Sequence, residues 1–580
     1  MENTESEDDE DVPIAYSHND DGEEEDEDDE EPSDDDFSAP NPPLRGRGRG
    51  SGRGAGGRGA GGRGRGARAN SAAWGRHSLP FHMPAFTAPT GPRPVPAALK
   101  DSHDVDLFLV DEFFVMLLKE TNRRAYIEKA SAAPPKLLSN WKDVTKDELY
   151  GLLSIVITMG LVQLPDEADY WNTDTRIWNV PLVSNVMARA RFEQIKHCLM
   201  VANPTAEENE ADKLAKVRPF LTLVQNVSVL RFTPSQDCSL DESQCQCGHR
   251  HARFAYRGET KKPIADYIKI ISLHCAETGY CYSFFVDTRE MSVRDMVLRV
   301  CSELPEGQPF RVATDRFYTG VDTAKALLQR GVFMYGTVRT DRGIDKTLKA
   351  ELGVHPLEDG ESRWSMADPH LLCCVWRDST PTGCWFLSTC HEGKDATGEV
   401  RRRKRGQATV MKSAPDVAIE YNKYMGGCDR ANSLRQSYNT YLTHKKRWYM
   451  SLFYYGLDVL LVNAFIFRNA RAHDDQQQSH KKFRIEVATL FAGRALGGGA
   501  GADRVDYNTE KRRRTAADIL PAIRLHPGAH LVVQTGHARI CAWCYKSAKK
   551  QNKTVYMCKT CDLPLHPDCF EIFHDPHTEL

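Results

Sequence analysis

The sequence predicts an α/β multidomain protein. Three observations carry that prediction. Residues 104–232 place apolar side chains at helical spacing, and residues 233–340 run as short strands broken by two helical stretches. The last stretch, 536–580, gathers cysteine and histidine in pairs two residues apart. With 580 residues, 41% of them hydrophobic, the chain has material for several cores.

The net charge of −4 hides a segregation of sign. The first 36 residues include blocks such as EEEDEDDEE, which bury no apolar surface and are expected to be disordered. Residues 45–68 repeat Arg and Gly, a flexible basic segment that suits RNA or serves as a plain linker. Pro and Ala dominate 70–100, so residues 1–100 are assigned to a tail outside the folded body. The remainder is net basic, as a polyanion-binding protein would be. The acidic N-terminus is the opposite of a secretory leader, so the 17 cysteines are expected to be reduced. Clusters among them therefore read as metal sites. The longest uncharged apolar stretch, Leu149–Leu164, is short for a bilayer and reads as a buried helix; no membrane partner is expected.

In chain order, DVDLFLVDEFFVMLLKE opens a helical domain, 101–232. Thr145-x-x-Glu148 is a capping box ahead of the Leu149–Leu164 run. The period then switches. RFTPSQDCSLDES, YIKIISLHCAE and YCYSFFVD read as three strands, followed by a helix near Val293–Leu304 and the strand PFRVATDRFYTG. TAKALLQRG is a helix stopped by Gly331, and VFMYGTVR is the next strand. The order β-β-β-α-β-α-β is the skeleton of an RNase H-like core, here 233–340. Residues 341–415 look irregular, with short strand-like pieces such as LLCCVW and CWFLST, and read as an insertion. Helices return over 416–495, a Gly-rich basic linker fills 496–535, and 536–580 forms the Cys/His module.

Nucleotidyl transfer uses two divalent cations roughly 3.5–4 Å apart. Mg²⁺ (or Mn²⁺) wants hard oxygen ligands, so carboxylates from separate elements must converge. An RNase H-like sheet offers one acid on its first strand, one at the end of its fourth and one on a later helix. Asp241 in CSLDES, Asp315 in VATDRFYTG and Asp429 in YMGGCDR occupy those stations. An unpaired charge in such apolar surroundings is costly without a cation.

These motifs resemble the piggyBac transposase family and its domesticated relatives. SLDES, TDRFYTG with AKALLQRGVFMYGTVR, and YNKYMGGCDR with Arg447–Trp448 and LVNAFIF stand in the family's order over residues 104–470. The resemblance implies that Asp241, Asp315 and Asp429 form a catalytic triad. It implies cleavage of double-stranded DNA at element ends, a hairpin intermediate and joining to a TTAA target. It also implies a homodimer whose helical N-terminal domain helps bind DNA. Two positions depart from the pattern. Asn432 stands where a second Asp is common. After Asp241, Cys245, Cys247, His249 and His251 alternate, which suits either a small metal site or a divergent surface hairpin.

The run Arg401-Arg402-Arg403-Lys404-Arg405 suits phosphate contact or nuclear import, and Lys511-Arg512-Arg513-Arg514 suits import, so a nuclear protein is expected. Trp448 reads as a base-stacking residue or a core residue. In the tail, Cys541/Cys544, Cys558/Cys561, His566/Cys569 and His574/His577 match two tetrahedral Zn²⁺ sites. A cross-brace assigns Cys541, Cys544, His566 and Cys569 to one ion. Cys558, Cys561, His574 and His577 take the other, with His537 as the alternative to His577. The family resemblance and the lysines at 546, 549, 550 and 553 point the module at DNA, although a protein-binding module has the same pattern. Three functions compete: an active transposase, a silent DNA-binding derivative, and a protein that does not bind DNA.

Overall fold

A capping box starts the buried helix expected after Thr145. The Thr145 hydroxyl accepts from the Glu148 amide at 3.2 Å, and the Glu148 carboxylate accepts from the Thr145 amide at 3.1 Å. The computed structural model describes residues 73–76, 82–99, 103–172, 180–260, 262–396, 398–402, 409–442, 447–497, 530–548, 550–559 and 563–574. The acidic blocks, the Arg/Gly repeat and the Lys511–Arg514 run lie outside them.

Four main helices form the N-terminal region: α1 (Asp111–Lys129), α2 (Lys146–Leu161), α3 (Arg189–Cys198) and α4 (Arg218–Arg231). Five strands follow, β1 (Asp237–Gln246), β2 (Tyr267–Cys275), β3 (Cys281–Val286), β4 (Arg311–Thr314) and β5 (Phe333–Thr337). Helices α5 (Val293–Cys301) and α6 (Val321–Leu328) sit between β3, β4 and β5, so the order read from the sequence is the order found. β1, β2 and β3 are antiparallel neighbours, whereas β1, β4 and β5 are parallel. Gly331 adopts φ +72°, which ends the turn after α6 without a Cβ penalty.

The segment 341–415 departs from expectation. Its strands β6 (Ser362–Ala367), β7 (Leu371–Trp376) and β8 (Cys384–Ser388) are not a separate irregular body. They continue the same sheet, in the order β6-β7-β8-β5-β4-β1-β2-β3. β7 reads LLCCVW and is buried along its whole length. LLCCVW and CWFLST are strands, as their composition suggests, but strands covered on both faces show no alternation that would assign them to the central sheet. A two-stranded hairpin, β9 (Gly398–Arg402) and β10 (Val410–Ala414), stands apart from this ladder.

Residues before 100 also depart from expectation. Trp74–Gly75 add a short strand to the β6 edge, and Gly91–Pro92 pair with Phe232–Thr233. Phe86 packs edge-on to Phe310 at 5.1 Å. The stretch 82–99 is therefore part of the folded body. Trp74 and the anchors of that stretch, Phe86, Val95 and Leu99, are spaced among prolines without a period, so the composition read as linker.

The chain returns through α7 (Asp416–Tyr424), α8 (Gly427–Ser437), α9 (Tyr449–Arg471) and α10 (His480–Ala495). α9 is long and apolar enough to cross a bilayer, but it is buried inside the fold against α4. Asn463 secures it: its amide oxygen accepts from the Cys281 amide at 2.9 Å and its amide nitrogen donates to the Cys281 carbonyl at 2.8 Å. The tail forms a three-stranded sheet, β11 (Val532–Ile540), β12 (Lys553–Cys558) and β13 (Leu563–Pro564), with α11 (Ala542–Ala548) and α12 (Pro567–His574).

Candidate active site and metal centres

Strand register places the first two aspartates. Leu240 on β1 pairs with Thr314 on β4 in a parallel ladder. Asp241 comes next on β1 and Asp315 directly follows the last residue of β4, so the two rise from neighbouring strands. Alternation decides which face they take. Ala313 packs with Val417 and Ala418 of α7, so Asp315, two residues on, falls on the α7 side. Ser239 and Ser243, which flank Asp241 at two-residue spacing, both meet α8. A Cβ on Gly427 would lie 2.5 Å from the Ser239 hydroxyl, and the Cys428 sulfur is 3.8 Å from the Ser243 hydroxyl. The first turn of α8 therefore lies directly on β1, and Asp429 stands in that turn.

The carboxylates feel one another. Withdrawal from water pushes the Asp241 carboxyl up to about 7, and the neighbouring Asp315, Glu242 and Asp429 charges add to the rise. The Glu242 amide, donating to Asp241 Oδ1 at 2.7 Å, works against it. Asp315 Oδ1 accepts from the Arg316 amide at 2.5 Å and from the Thr337 hydroxyl at 3.4 Å. The turn after Asp315 is fastened by its own carbonyl, which accepts from the Tyr318 and Thr319 amides at 3.0 and 3.1 Å. Such a group of hard oxygens, mutually repelling and half withdrawn from water, fits divalent cations.

Two ion networks hold the frame. Glu242 is bound by Lys262 and by the buried Lys269 at 2.8 Å, and Lys269 lies 4.4 Å from the Phe317 ring. Arg311 at the start of β4 bridges Asp237 at 2.6 Å and Glu420 of α7 at 2.5 Å. His391 adds a contact to Glu420 at 3.2 Å. Burial alone would lower the His391 pKa; the Cys390 sulfur and the Glu420 carboxylate reverse this and push it up to about 9. Sequence reading missed this clasp, because its members are spread from 237 to 420.

Other expected positions fall differently. The Asn432 amide donates to the Glu242 carbonyl at 3.4 Å. Cys245, Cys247, His249 and His251 do not share a strand face, since β1 ends at Gln246. Cys245 and Cys247 are buried in the main apolar core and His251 is exposed. Arg257 instead binds the Cys247 and His249 carbonyls. Trp448 packs edge-on to Phe254 at 5.3 Å, and Arg447 donates to the Leu199 and Lys196 carbonyls at 3.0 Å, so this pair finishes α3 as a core element. Arg402 is held by Asp378 at 3.0 Å, while Arg403, Lys404 and Arg405 lie outside the described residues.

In the tail, Cys541, Cys544, His566 and Cys569 converge, their ligand atoms all within 4.8 Å of one another. Cys544 Sγ stands 3.5 Å from His566 Nδ1 and 3.7 Å from Cys569 Sγ. Around a tetrahedral zinc the expected edges are about 3.6 Å for S···N and about 3.8 Å for S···S. His566 Nε2 lies 3.2 Å from the Lys553 carbonyl, a bond that frees Nδ1 for a metal. The second group differs from expectation: it is His530, Cys558 and His574. His530 Nδ1 stands 3.5 Å from Cys558 Sγ. His574 Nδ1 is 2.7 Å from the Phe570 carbonyl, which leaves Nε2 for a metal. His537 is exposed on β11 and does not join, and Cys561 and His577 lie outside the described residues. His530 was missed because it precedes Cys558, its nearer partner in the chain, by 28 residues and belongs to no two-residue pair.

A family model described as "Transposase IS4" matches residues 106–465, and one described as "DDE_Tnp_1-like zinc finger" matches 526–575. Human "PiggyBac transposable element-derived protein 3" is 25% identical over 491 residues, covering 81% of this chain and 75% of its own. Human "PiggyBac transposable element-derived protein 2" is 23% identical over 485 residues, with the same coverage. A solved structure described as a piggyBac transposase synaptic complex with hairpin DNA shares the fold. Its TM-score is 0.61 at 18% identity, covering 83% of this chain and all of the other. With motifs, strand order and family model in agreement over more than half of its length, the chain belongs to the piggyBac transposase family.

Proposed function

We propose that this chain is a DNA transposase that cuts and joins double-stranded DNA at TTAA sites, using an RNase H-like core with Asp241, Asp315 and Asp429 as its catalytic acids. One observation carries the reading: the β1–β4 register and the seat of α8 bring acids from three distant segments to one face of one sheet. Bound there, Mg²⁺ (or Mn²⁺) would supply Lewis-acid activation of the phosphodiester and of the attacking oxygen. The chain's own part is positioning. β1 and β4 hold two acids on a rigid ladder. The Arg311–Glu420 bridge pins α7, and so presents the Asp429 turn that follows it. Lys262, on Glu242 and in the field of Asp241 and Asp315, places a cation beside the acids where a phosphate would approach.

The tail is proposed to hold two Zn²⁺, one on Cys541, Cys544, His566 and Cys569 and one on His530, Cys558 and His574 with Cys561. Lys550 and Lys553 are exposed on it and suit a DNA backbone. A homodimer acting in the nucleus completes the reading, on the family resemblance and the basic runs. A second reading, a silent DNA-binding derivative, is favoured by Asn432, whose amide is committed to the Glu242 carbonyl.

Donor plasmids carrying candidate inverted repeats flanked by TTAA test the first reading, with wild type beside Asp315→Ala. Metal-dependent excision by the wild type alone is expected. Mn²⁺ binding, read by paramagnetic resonance, should fall in the variant. Equal excision and equal Mn²⁺ binding in both proteins would remove Asp315 from the mechanism. Binding without excision in the wild type would favour the silent derivative.

A further inference from the structure

The helical region carries a cleft of about 1040 Å³ between α1, the 201–204 turn and the start of α4. Val115, Met116, Val201 and Pro219 make its apolar wall, and Val115 is 62% exposed. Apolar surface left in water costs about 25 cal/mol per Å², and a patch of this kind marks a contact site. The rim is acidic. Of its acids, Asp111 is paired with Lys146, Asp212 with Arg218 and Glu120 with Lys119 and Arg123, which leaves Glu112 and Glu208 without a cation among the described residues. Such a rim repels phosphate, which sets the cleft apart from any DNA surface. Its occupant must be apolar and basic together.

The chain itself contains a segment of that chemistry, outside the described residues. Residues 511–525 read KRRRTAADILPAIRL, with five basic residues, one acid and the apolar run Ile519-Leu520-Pro521-Ala522-Ile523. We propose that residues 511–525 dock into the α1–α4 cleft of their own chain. The apolar run covers Val115, Met116 and Pro219, and the arginines meet the acidic rim.

The point where α10 ends supports an intramolecular contact. Arg494, in its last turn, lies 5.0 Å from the Tyr150 ring, and that ring is 4.6 Å from Phe114 of α1. Lys146, beside both rings, binds Asp111 of the rim at 2.6 Å. The chain thus leaves α10 within two side chains of the cleft. From Gly497 to Lys511 it has some fourteen residues, which reach up to about 45–50 Å when extended. Tethering sets an effective concentration in the mM range, so an interaction weak in solution closes within one chain. Docking has a consequence for the tail. It leaves residues 526–529 alone between the docked segment and His530, so the metal-binding tail is held beside the helical region rather than on a long tether.

A photo-crosslinking residue, p-benzoylphenylalanine, at Val115 of the full chain tests this. The expected product joins α1 to a peptide within 511–525, in the same molecule, with a yield independent of protein concentration. The triple change Ile519→Asp, Leu520→Asp, Ile523→Asp should abolish it. The same change should raise amide exchange over residues 112–119 by about tenfold, with the melting of the core unchanged as a control. A crosslink to a second molecule, a crosslink to any other segment, or no crosslink would overturn the proposal. So would exchange over 112–119 that ignores the triple change.

Discussion

Leu240 faces Thr314 across parallel strands, and that single pairing puts Asp241 and Asp315 side by side. A slip of one residue would send one of the two carboxylates to the opposite face of the sheet.

Asp241 titrates near 7 in the folded chain, against an ordinary carboxyl near 3.8. Its folded value is the higher one, so its charge opposes folding increasingly as pH rises from about 4 to 7. Asp241→Asn should therefore stabilise the metal-free protein at pH 8 by about 1–3 kcal/mol and do little at pH 4. Chemical denaturation at the two pH values checks this, and Mg²⁺ should narrow the gap at pH 8.

Gly427 lets α8 touch the sheet. A methyl group there would meet the Ser239 hydroxyl at 2.5 Å, the Ala276 Cα at 3.0 Å and the Cys275 carbonyl at 3.1 Å. Gly427→Ala should lift the Asp429 turn and cost about 1–3 kcal/mol. Excision should fall more steeply than thermal stability does.

The Arg311–Glu420–His391 clasp predicts an alkaline weakness. His391 titrates near 9, above its ordinary 6.5, so its contribution is complete below pH 6.5 and is lost as pH rises through 9. Wild type should lose stability between pH 7 and 9.5, and His391→Gln should lose less over that span. Parallel melting curves for the two proteins would remove His391 as the titrating group.

In the tail, His530 and His537 make opposite predictions. His530→Ala should release about one equivalent of zinc and expose the tail to protease, whereas His537→Ala should release none. Metal analysis of the purified full chain decides between them, and the melting of the central sheet should stay unchanged in both.

The stations of Asp241, Asp315 and Asp429 on strand, strand end and helix were legible because each sits at the edge of a strongly patterned element, and strand order carries over to position. The first Cys/His quartet was legible because close pairs leave little freedom. What stayed hidden has a common physical cause. β7 is covered on both faces, so its sequence marks a strand but not its place in the central sheet, and Trp74 and Phe86 anchor an extended segment that has no period. His530 and the Asp237–Arg311–Glu420–His391 contacts depend on proximity in space between residues far apart in sequence.

The continuation of the ladder through β8 has a practical bearing on truncation. Phe386, Leu387 and Ser388 pair with β5 along that side, and Thr389 continues the contact to Met334; β5 residues Phe333–Gly336 are buried. A fragment cut near residue 340 would present those apolar residues as a bare edge, ready to recruit strands from other molecules. Shortened versions of this chain should therefore aggregate unless they run past Ser388.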